Sequence, residues 1–566
     1  MSSDDVVPAA KCSANDHFLR KGDATFIKLQ DLPATWLCLL PPKSSWVIYG
    51  RSKITLLQKS VVEIFGAHIK NVSSLAVSVY APSTQVPIDL RTPSTCDVSS
   101  NESLSDLVSE LANVTSLSQE YLWNRLNDLF TSSADLSHFA AIVLLQPLPC
   151  PVIESITKMR CFRNLFSHPI CDLTTDKLTV GGDTYSIESA SADEGFVESS
   201  EMIHFFERNS GKSTLIRRLV NRLLSLGGFG AVAVLDFDPG QSEFTPSGML
   251  SLTIIKNFIL GPPFSHALSG LFRPTRQCFY GGTTPSVNPT FYVECLRYVI
   301  GDFKECIKAQ CPVIVNTMGW TQGKSPIGSA GFASSQDQRD LTLLGHLLSD
   351  LVGAETSLPG SGPSGRGGMP LGHPTAHLLD CIPYKVPLTL SEKPEAGRPL
   401  AIHLLHQYSG NADTTLYNLP GLANCLNATL VALCSVPQEK IIPPTELGGL
   451  TLLSQMPPCE CLGFAVVRAL NPDSGFIYLT TGVPLEELTR VNAIIRGKVN
   501  LPHSLFTEQP LTTEALLSYP TQRQPRPPYL GTDYPIGSGR TGLPTRRHHP
   551  RVMHHSPTSL RNSAQL

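Results

Sequence analysis

The sequence predicts an α/β fold, with a central core of parallel strands and helices between N-terminal and C-terminal β-rich domains. Three observations lead there. Residues 205–350 alternate helical periodicity with short, continuously apolar runs, the signature of strands buried on both faces. The stretches on either side carry short β-branched and aromatic runs punctuated by glycine. At 566 residues the chain is too long for one core, and roughly two to four domains are expected. The expected division is 1–185 for the first β-rich domain with a Ser/Thr/Pro insert, 186–385 for the core, 386–520 for the second β-rich domain and 521–566 for a basic, disordered tail.

In the N-terminal part, "SWVIYGRSKITLL" and "SVVEIFGAHI" read as strands broken at Gly50 and Gly66. From about 83 to 120 the chain is rich in Ser, Thr and Pro and reads as a loop or disordered insert. "FAAIVLLQ" is a further strand, and "KLTVGGDTYSIES" is a hairpin turning on Gly-Gly-Asp.

The core begins with "GKSTLIRRLVNRLLSLGG". Leu215, Ile216, Leu219, Val220, Leu223 and Leu224 fall on one helical face, and Arg217, Arg218, Asn221 and Arg222 on the other. "AVAVLDFDPGQSE" follows as a buried strand, then a helix capped by Asn288 with Pro289 at its first position. "CPVIVNTMGW" is the next buried strand, and residues 355–375 are a flexible insertion. Short strands return in "PLAIHLLHQY", "CLGFAVVRAL" and "GFIYLTTG".

The formal net charge of −3 gives no overall attraction to nucleic acid, so any basic surface must be local. The last 46 residues hold seven arginines and four histidines against one acid, Asp533. The opening residues lack the layout of a secretory signal, and no apolar run approaches the ~20 residues of a membrane span. No membrane is therefore expected among the partners. Fifteen cysteines are scattered, and Cys459 and Cys461 form a C-x-C without a second half-site, so reduced thiols are expected rather than zinc.

Two clusters carry chemistry. Asn209-Ser210-Gly211-Lys212-Ser213-Thr214 ends like a phosphate-binding loop, whose backbone N–H groups and helix dipole hold a phosphate. Lys212 would reach the β- and γ-phosphates, Ser213 would ligate Mg²⁺ and Thr214 would bond the α-phosphate. Asp236 and Asp238 close the next strand at the sheet edge where ligands bind. A carboxylate there can join the metal shell or accept a proton from an attacking hydroxyl. Each cluster alone also fits a bland reading, a capped surface helix or an Asp-Pro-Gly turn. Their succession, one helix apart, favours a nucleotide site.

Asp236-x-Asp238-x-Gly240-Gln241, with Gly211-Lys212-Ser213 before it and Thr317-Met318-Gly319-Trp320 after the third strand, resembles the polynucleotide 5′-hydroxyl kinase family. "VNAIIRGKVNLPHSLF" is similar to the C-terminal region of its nucleolar pre-rRNA-processing branch. The resemblance implies a central P-loop kinase domain, ATP and Mg²⁺ as cofactors, and an RNA bearing a 5′-hydroxyl end as substrate. It implies a nuclease or ligase complex as partner, and the nucleolus or nucleus as location. Under it Asp238 is the base for the 5′-hydroxyl, with Asp236 beside it and Lys212 the third catalytic residue. Gln241, Thr317, Gly319 and Trp320 bind substrate, the Trp320 ring stacking on a base, though core packing is its bland alternative. Ser213 and Glu243 are the metal candidates. The tRNA-splicing or mRNA 3′-end branch, and an impaired P-loop scaffold, are the alternatives.

The sequence departs from the family at Phe206, where the loop's first glycine belongs. That glycine allows backbone angles a phenylalanine resists. No apolar strand precedes it, and an insertion follows Trp320. Either the loop has diverged, or an exon misjoin ahead of Arg208 has replaced the strand and glycine. Transcript reads across codons 190–210 are expected to carry a different junction; reads matching the printed residues establish true divergence.

Overall fold

A computed structural model describes residues 18–21, 23–58, 60–70, 76–94, 103–127, 136–166, 179–182, 185–189, 211–301, 311–318, 335–356, 374, 378, 380–390, 397–405, 418–453 and 455–507. The insertion at 357–373 and the tail beyond 507 lie outside them, as do Phe206, Asn209, Ser210, Gly319 and Trp320.

The N-terminal strands form an 11-stranded sheet organised by one long strand, Ser45–Leu57. Gly50 does not break it. Before Gly50 the strand pairs with Ile88–Arg91 and Tyr185–Ser189; beyond it the partners are Ala76–Ala81 and Ala141–Pro147. Gly50 has φ 85°, so a glycine sits at the bend where both partners change. The hairpin read from "KLTVGGDTYSIES" is present, with Thr179 opposite Glu188, but Gly181 and Gly182 pair with Ser186 and Tyr185 in its strands rather than forming the turn.

The segment read as a loop or insert is partly ordered. It supplies the strand Ile88–Arg91 and the helices Leu104–Thr115 and Gln119–Asn127. Ser103 and Asp106 form a reciprocal capping box, and Leu107, Val108 and Leu111 are buried. The Ser/Thr/Pro bias hid a helix start that the Ser-x-x-Asp spacing encodes.

The second sheet has 12 strands and is mixed rather than parallel. Val232–Asp236 pairs in parallel with Val313–Asn316 but antiparallel with Met249–Ile255, which pairs antiparallel with Arg276–Phe279. A turn region, not a crossover helix, connects Asp236 to Met249, so the chain returns beside itself. Val313–Asn316 lies at the end of the described sheet, and Val315 there is 50 % exposed rather than buried on both faces.

The C-terminal strands extend this same sheet. Cys278 faces Glu460 across the junction, where Arg276–Phe279 meets Glu460–Asn471. Close backbone crossings reinforce it. A Cβ on Gly497 would lie 2.6 Å from the Gly281 carbonyl oxygen, which accepts the Lys498 N–H at 2.7 Å.

The helix Lys212–Ser225 departs most from its sequence reading. Of the face read as polar, Arg217, Arg218 and Asn221 are buried and only Arg222 is exposed, while the apolar Leu219 is 42 % exposed. Arg218 donates to both Asp89 oxygens at 3.1 and 3.2 Å and to Glu63 at 3.2 Å. Asn221 donates to the Phe65 and Ile259 carbonyls and accepts the Ile259 N–H at 2.7 Å. The Phe65-Gly66 turn presses on this face, where a Cβ on Gly66 would lie 2.8 Å from Arg218 Cγ. Buried charges are tolerated because carboxylates and carbonyls from the first sheet meet them.

Replacing Arg218 with Met removes two hydrogen bonds from buried Asp89, leaving it the half-exposed Arg91 at 3.1 Å, and takes the Arg218 partner from Glu63. Stability is expected to fall by about 3–5 kcal/mol, read as a lower urea midpoint.

Candidate active site

Gly211 begins the site. It adopts a left-handed conformation, φ 82° and ψ 17°, and caps the helix Lys212–Ser225 without a side-chain hydrogen bond. Leu215 N–H already bonds the Gly211 carbonyl, so the N–H groups of the first turn point out of the helix end. Such an end attracts anions. Lys212 Nζ donates to the Thr317 carbonyl at 3.2 Å. This contact ties the helix start to the end of the strand Val313–Asn316. Ser213 and Thr214 are partly buried in the same turn, and Ser213 has no hydrogen-bond partner among the described residues.

The carboxylates divide into two kinds. Asp236 is buried at the strand end. Its Oδ1 accepts from Asn316 Nδ2 at 2.9 Å and the Asp238 N–H at 3.3 Å, and its Oδ2 from the Glu243 N–H at 2.6 Å. Burial pushes its carboxyl up to about 7, the Asp238 and Glu243 charges add to this, and the backbone donors offset part of it. Asp236 therefore shapes the turn that follows it. Asp238 is half-buried, and its Oδ1 accepts the Gly240 and Gln241 N–H groups at 2.9 and 3.1 Å. Among the described residues its Oδ2 makes no hydrogen bond, so one oxygen of an oriented carboxylate stays open.

Gly240 is needed for packing. A Cβ there would lie 2.7 Å from the Thr283 carbonyl oxygen, and so the "FYGGTTP" loop can close on the Asp238 turn. Tyr292 donates from its hydroxyl to the Phe237 carbonyl at 2.7 Å and holds the turn from the helix Pro289–Ile300. Asn288 caps that helix through the Phe291 N–H, as its sequence predicts. Gln241 is exposed and its Nε2 donates to Ser335 Oγ at 3.3 Å. Thr317 is exposed beside Lys212.

Glu243 does not fit the metal role expected of it. Both oxygens are held, Oε1 by Arg217 Nε at 2.6 Å and His266 Nε2 at 2.9 Å, and Oε2 by Arg217 Nη2 at 3.2 Å. Burial alone would raise its carboxyl, but Arg217 and His266 outweigh that and hold it at about 2. A carboxylate so placed is a fixed counter-ion under the loop helix. Asn316 and Tyr292 escaped the sequence reading. Asn316 sits one residue before Thr317, at a strand end where a polar residue signals a partner. Tyr292 carries no such signal.

Comparisons with known proteins cover the region that holds this site. Residues 207–327 match the P-loop model of the mRNA cleavage and polyadenylation factor CLP1, and residues 400–502 match the NOL9-like C-terminal domain. The chain is 26% identical over 356 residues to a protein of Bos taurus named polynucleotide 5′-hydroxyl-kinase NOL9, covering 53% of this chain and 49% of that one. The Danio rerio protein of that name is 28% identical over 381 residues, 58% of this chain and 48% of its own. In these regions the chain is similar to proteins named polynucleotide 5′-hydroxyl kinases.

The Dictyostelium discoideum member is 41% identical over 117 residues, 20% of this chain and 16% of its own. The chain spans about half the length of the Bos taurus, Mus musculus and Danio rerio relatives. A solved Clp1p–Pcf11p structure covers 82% of this chain and 98% of its own at TM-score 0.36 and 11% identity, too slight a likeness to carry an argument. The P-loop match begins at residue 207, immediately after Phe206. Among the described residues no helix is long and apolar enough to cross a membrane.

The folded pKa of Asp236, about 7, lies above the ~3.9 of an unfolded carboxyl. As pH falls through about 7 the folded chain takes up a proton that the unfolded chain does not, so this residue's contribution grows as pH falls and is lost as pH rises. The stability of the wild type relative to Asp236→Asn is expected to rise between pH 8 and 5, by at most about 1.4 kcal/mol per pH unit. Paired urea midpoints across that range check it.

Proposed function

We propose that the chain is an ATP-dependent polynucleotide 5′-hydroxyl kinase acting on RNA 5′ ends in rRNA processing. One observation carries the reading: the parallel pairing of Asp236 with Asn316 brings the Asp238 turn and Thr317 to one sheet edge, and Lys212 bonds Thr317 there. A phosphate donor at the helix end and a hydroxyl acceptor at Asp238 would then meet.

Phosphoryl transfer depends on positioning and charge neutralisation. The helix N-terminus and Lys212 would hold the β- and γ-phosphates, Lys212 leaving the Thr317 carbonyl to do so. Asp238 Oδ2 would accept the proton of the 5′-hydroxyl as its oxygen bonds the γ-phosphorus. The bond from that phosphorus to the bridging oxygen breaks, and ADP leaves. Asp236 acts through Asp238 as a positioning residue. Asn209 and Ser210 are proposed for the same phosphate loop, and Gly319 and Trp320 with Thr317 and Gln241 for holding the RNA end.

The donor set suits Mg²⁺, which needs few protein ligands beside substrate phosphates and water. Ser213 brings an unpartnered hydroxyl, while Glu243 is taken and Asp238 Oδ2 is kept for the proton. When bound, the ion would neutralise charge on the phosphate oxygens.

The NOL9-like C-terminal match favours the nucleolar branch over the tRNA-splicing or mRNA branch, and with it a nucleolar location and a nuclease or ligase complex as partner. Phe206 favours a second reading, a P-loop scaffold that binds but does not transfer.

Purified chain is expected to move label from γ-labelled ATP to a 5′-hydroxyl oligoribonucleotide. Lys212→Ala and Asp238→Asn are each expected to lower the rate on the order of a hundred-fold or more. A wild type that binds both substrates without transfer establishes the scaffold; transfer undiminished in Lys212→Ala removes this site from the reaction.

A further inference from the structure

Beyond the Asp238 turn lies a crevice of about 60 Å³ that neither the motifs nor the family resemblance accounts for. Four segments wall it. Ser247 follows the Asp238 turn, Thr283 belongs to the "FYGGTTP" loop, Arg339 and Asp340 come from the helix Ser335–Thr356, and Lys498 and Asn500 come from the C-terminal region.

The crevice is built onto the catalytic turn. Ser247 Oγ donates to the Gly240 carbonyl at 3.4 Å, and the Gly240 N–H is held by Asp238. Gln241 reaches Ser335, the first residue of the helix that carries Arg339. The Lys498 N–H bonds the Gly281 carbonyl at 2.7 Å, beside the close approach of Gly497 to Gly281. Its side chain is half-buried, and among the described residues its ammonium has no carboxylate or hydrogen-bond partner. A half-buried cation without a counter-ion is a position for an anion. Arg339 in the same lining donates to Gln336 Oε1 at 3.0 and 3.3 Å, and burial raises the Asp340 carboxyl to about 6, the Gln336 hydrogen bond and Arg339 opposing this and the Asp337 charge adding to it.

We propose that this crevice binds a backbone phosphodiester of the substrate strand, close to the 5′-terminal nucleotide, with Lys498 as its principal cation and Arg339 beside it. The inference rests on the kinase reading for the position of the 5′ end. It gives the C-terminal region a direct part in substrate binding. It also supplies local positive charge, which the overall charge of −3 does not. Contact with phosphate rather than base edges would make the site indifferent to sequence.

The test is binding of a ten-nucleotide 5′-hydroxyl single-stranded oligoribonucleotide, labelled at its 3′ end, to the 566-residue chain, followed by fluorescence anisotropy over a salt series. Lys498→Ala is expected to weaken binding on the order of ten-fold and to lower the salt slope by about one. Lys498→Arg is expected to restore both, and binding of a fluorescent ATP analogue is expected to stay unchanged in each variant. In transfer assays KM for the oligonucleotide rises while kcat holds. Lys498→Ala with wild-type affinity and slope overturns the proposal, as does a wild type that binds no oligonucleotide. An acidic peptide captured through Lys498 in place of the strand overturns it too. Anisotropy needs no transfer, so a chain that binds through Lys498 yet moves no phosphate defeats the kinase reading alone.

Discussion

The buried ionic seam along the helix Lys212–Ser225 is the contact on which the site depends. Arg217 and Arg218 each carry a full charge into the interior, and each finds carboxylates already there. Arg218 reaches Asp89 and Glu63 of the first sheet, while Arg217 reaches Glu243, seven residues beyond Asp236 in the turn region. Removing one partner would strand the other in a medium that cannot solvate it, so the arrangement is fixed as a unit. The helix start, where phosphate would bind, is thereby held relative to both the first sheet and the Asp238 turn.

Glu243 joins these contacts to the chemistry. Its backbone N–H bonds Asp236, its side chain bonds Arg217 and His266, and Asp236 bonds Asn316 on the neighbouring strand. A short path of hydrogen bonds thus runs from the loop helix through the turn to the strand that ends at Thr317. Lys212 closes the circuit by bonding the Thr317 carbonyl. Positioning on this scale is what phosphoryl transfer demands, since most of its barrier is met by alignment and charge.

Legibility in the sequence followed the range of the interactions involved. The strand Val232–Asp236, the helix capped by Asn288 and the C-terminal strands were readable because each is encoded by local period and caps. The antiparallel return of Met249–Ile255 was not, because a buried run has the same composition whichever way it pairs. The helix Leu104–Thr115 was missed where compositional bias outweighed its capping signal. Glu243 was assigned by type, since an acid near a metal motif and an acid under two cations read alike.

The sequence by itself determined the chemistry on offer: the Gly-Lys-Ser-Thr helix start, the paired aspartates and the order in which they occur. Those features are short, and their backbone consequences act within a turn or two. Only the tertiary structure decided which aspartate is open and which is buried, and which face of the helix is inside. It also decided that Lys498 lies beside the Asp238 turn, far from it in the chain. Burial, charge pairing and sheet direction are properties of segments brought together from a distance, and no local pattern contains them.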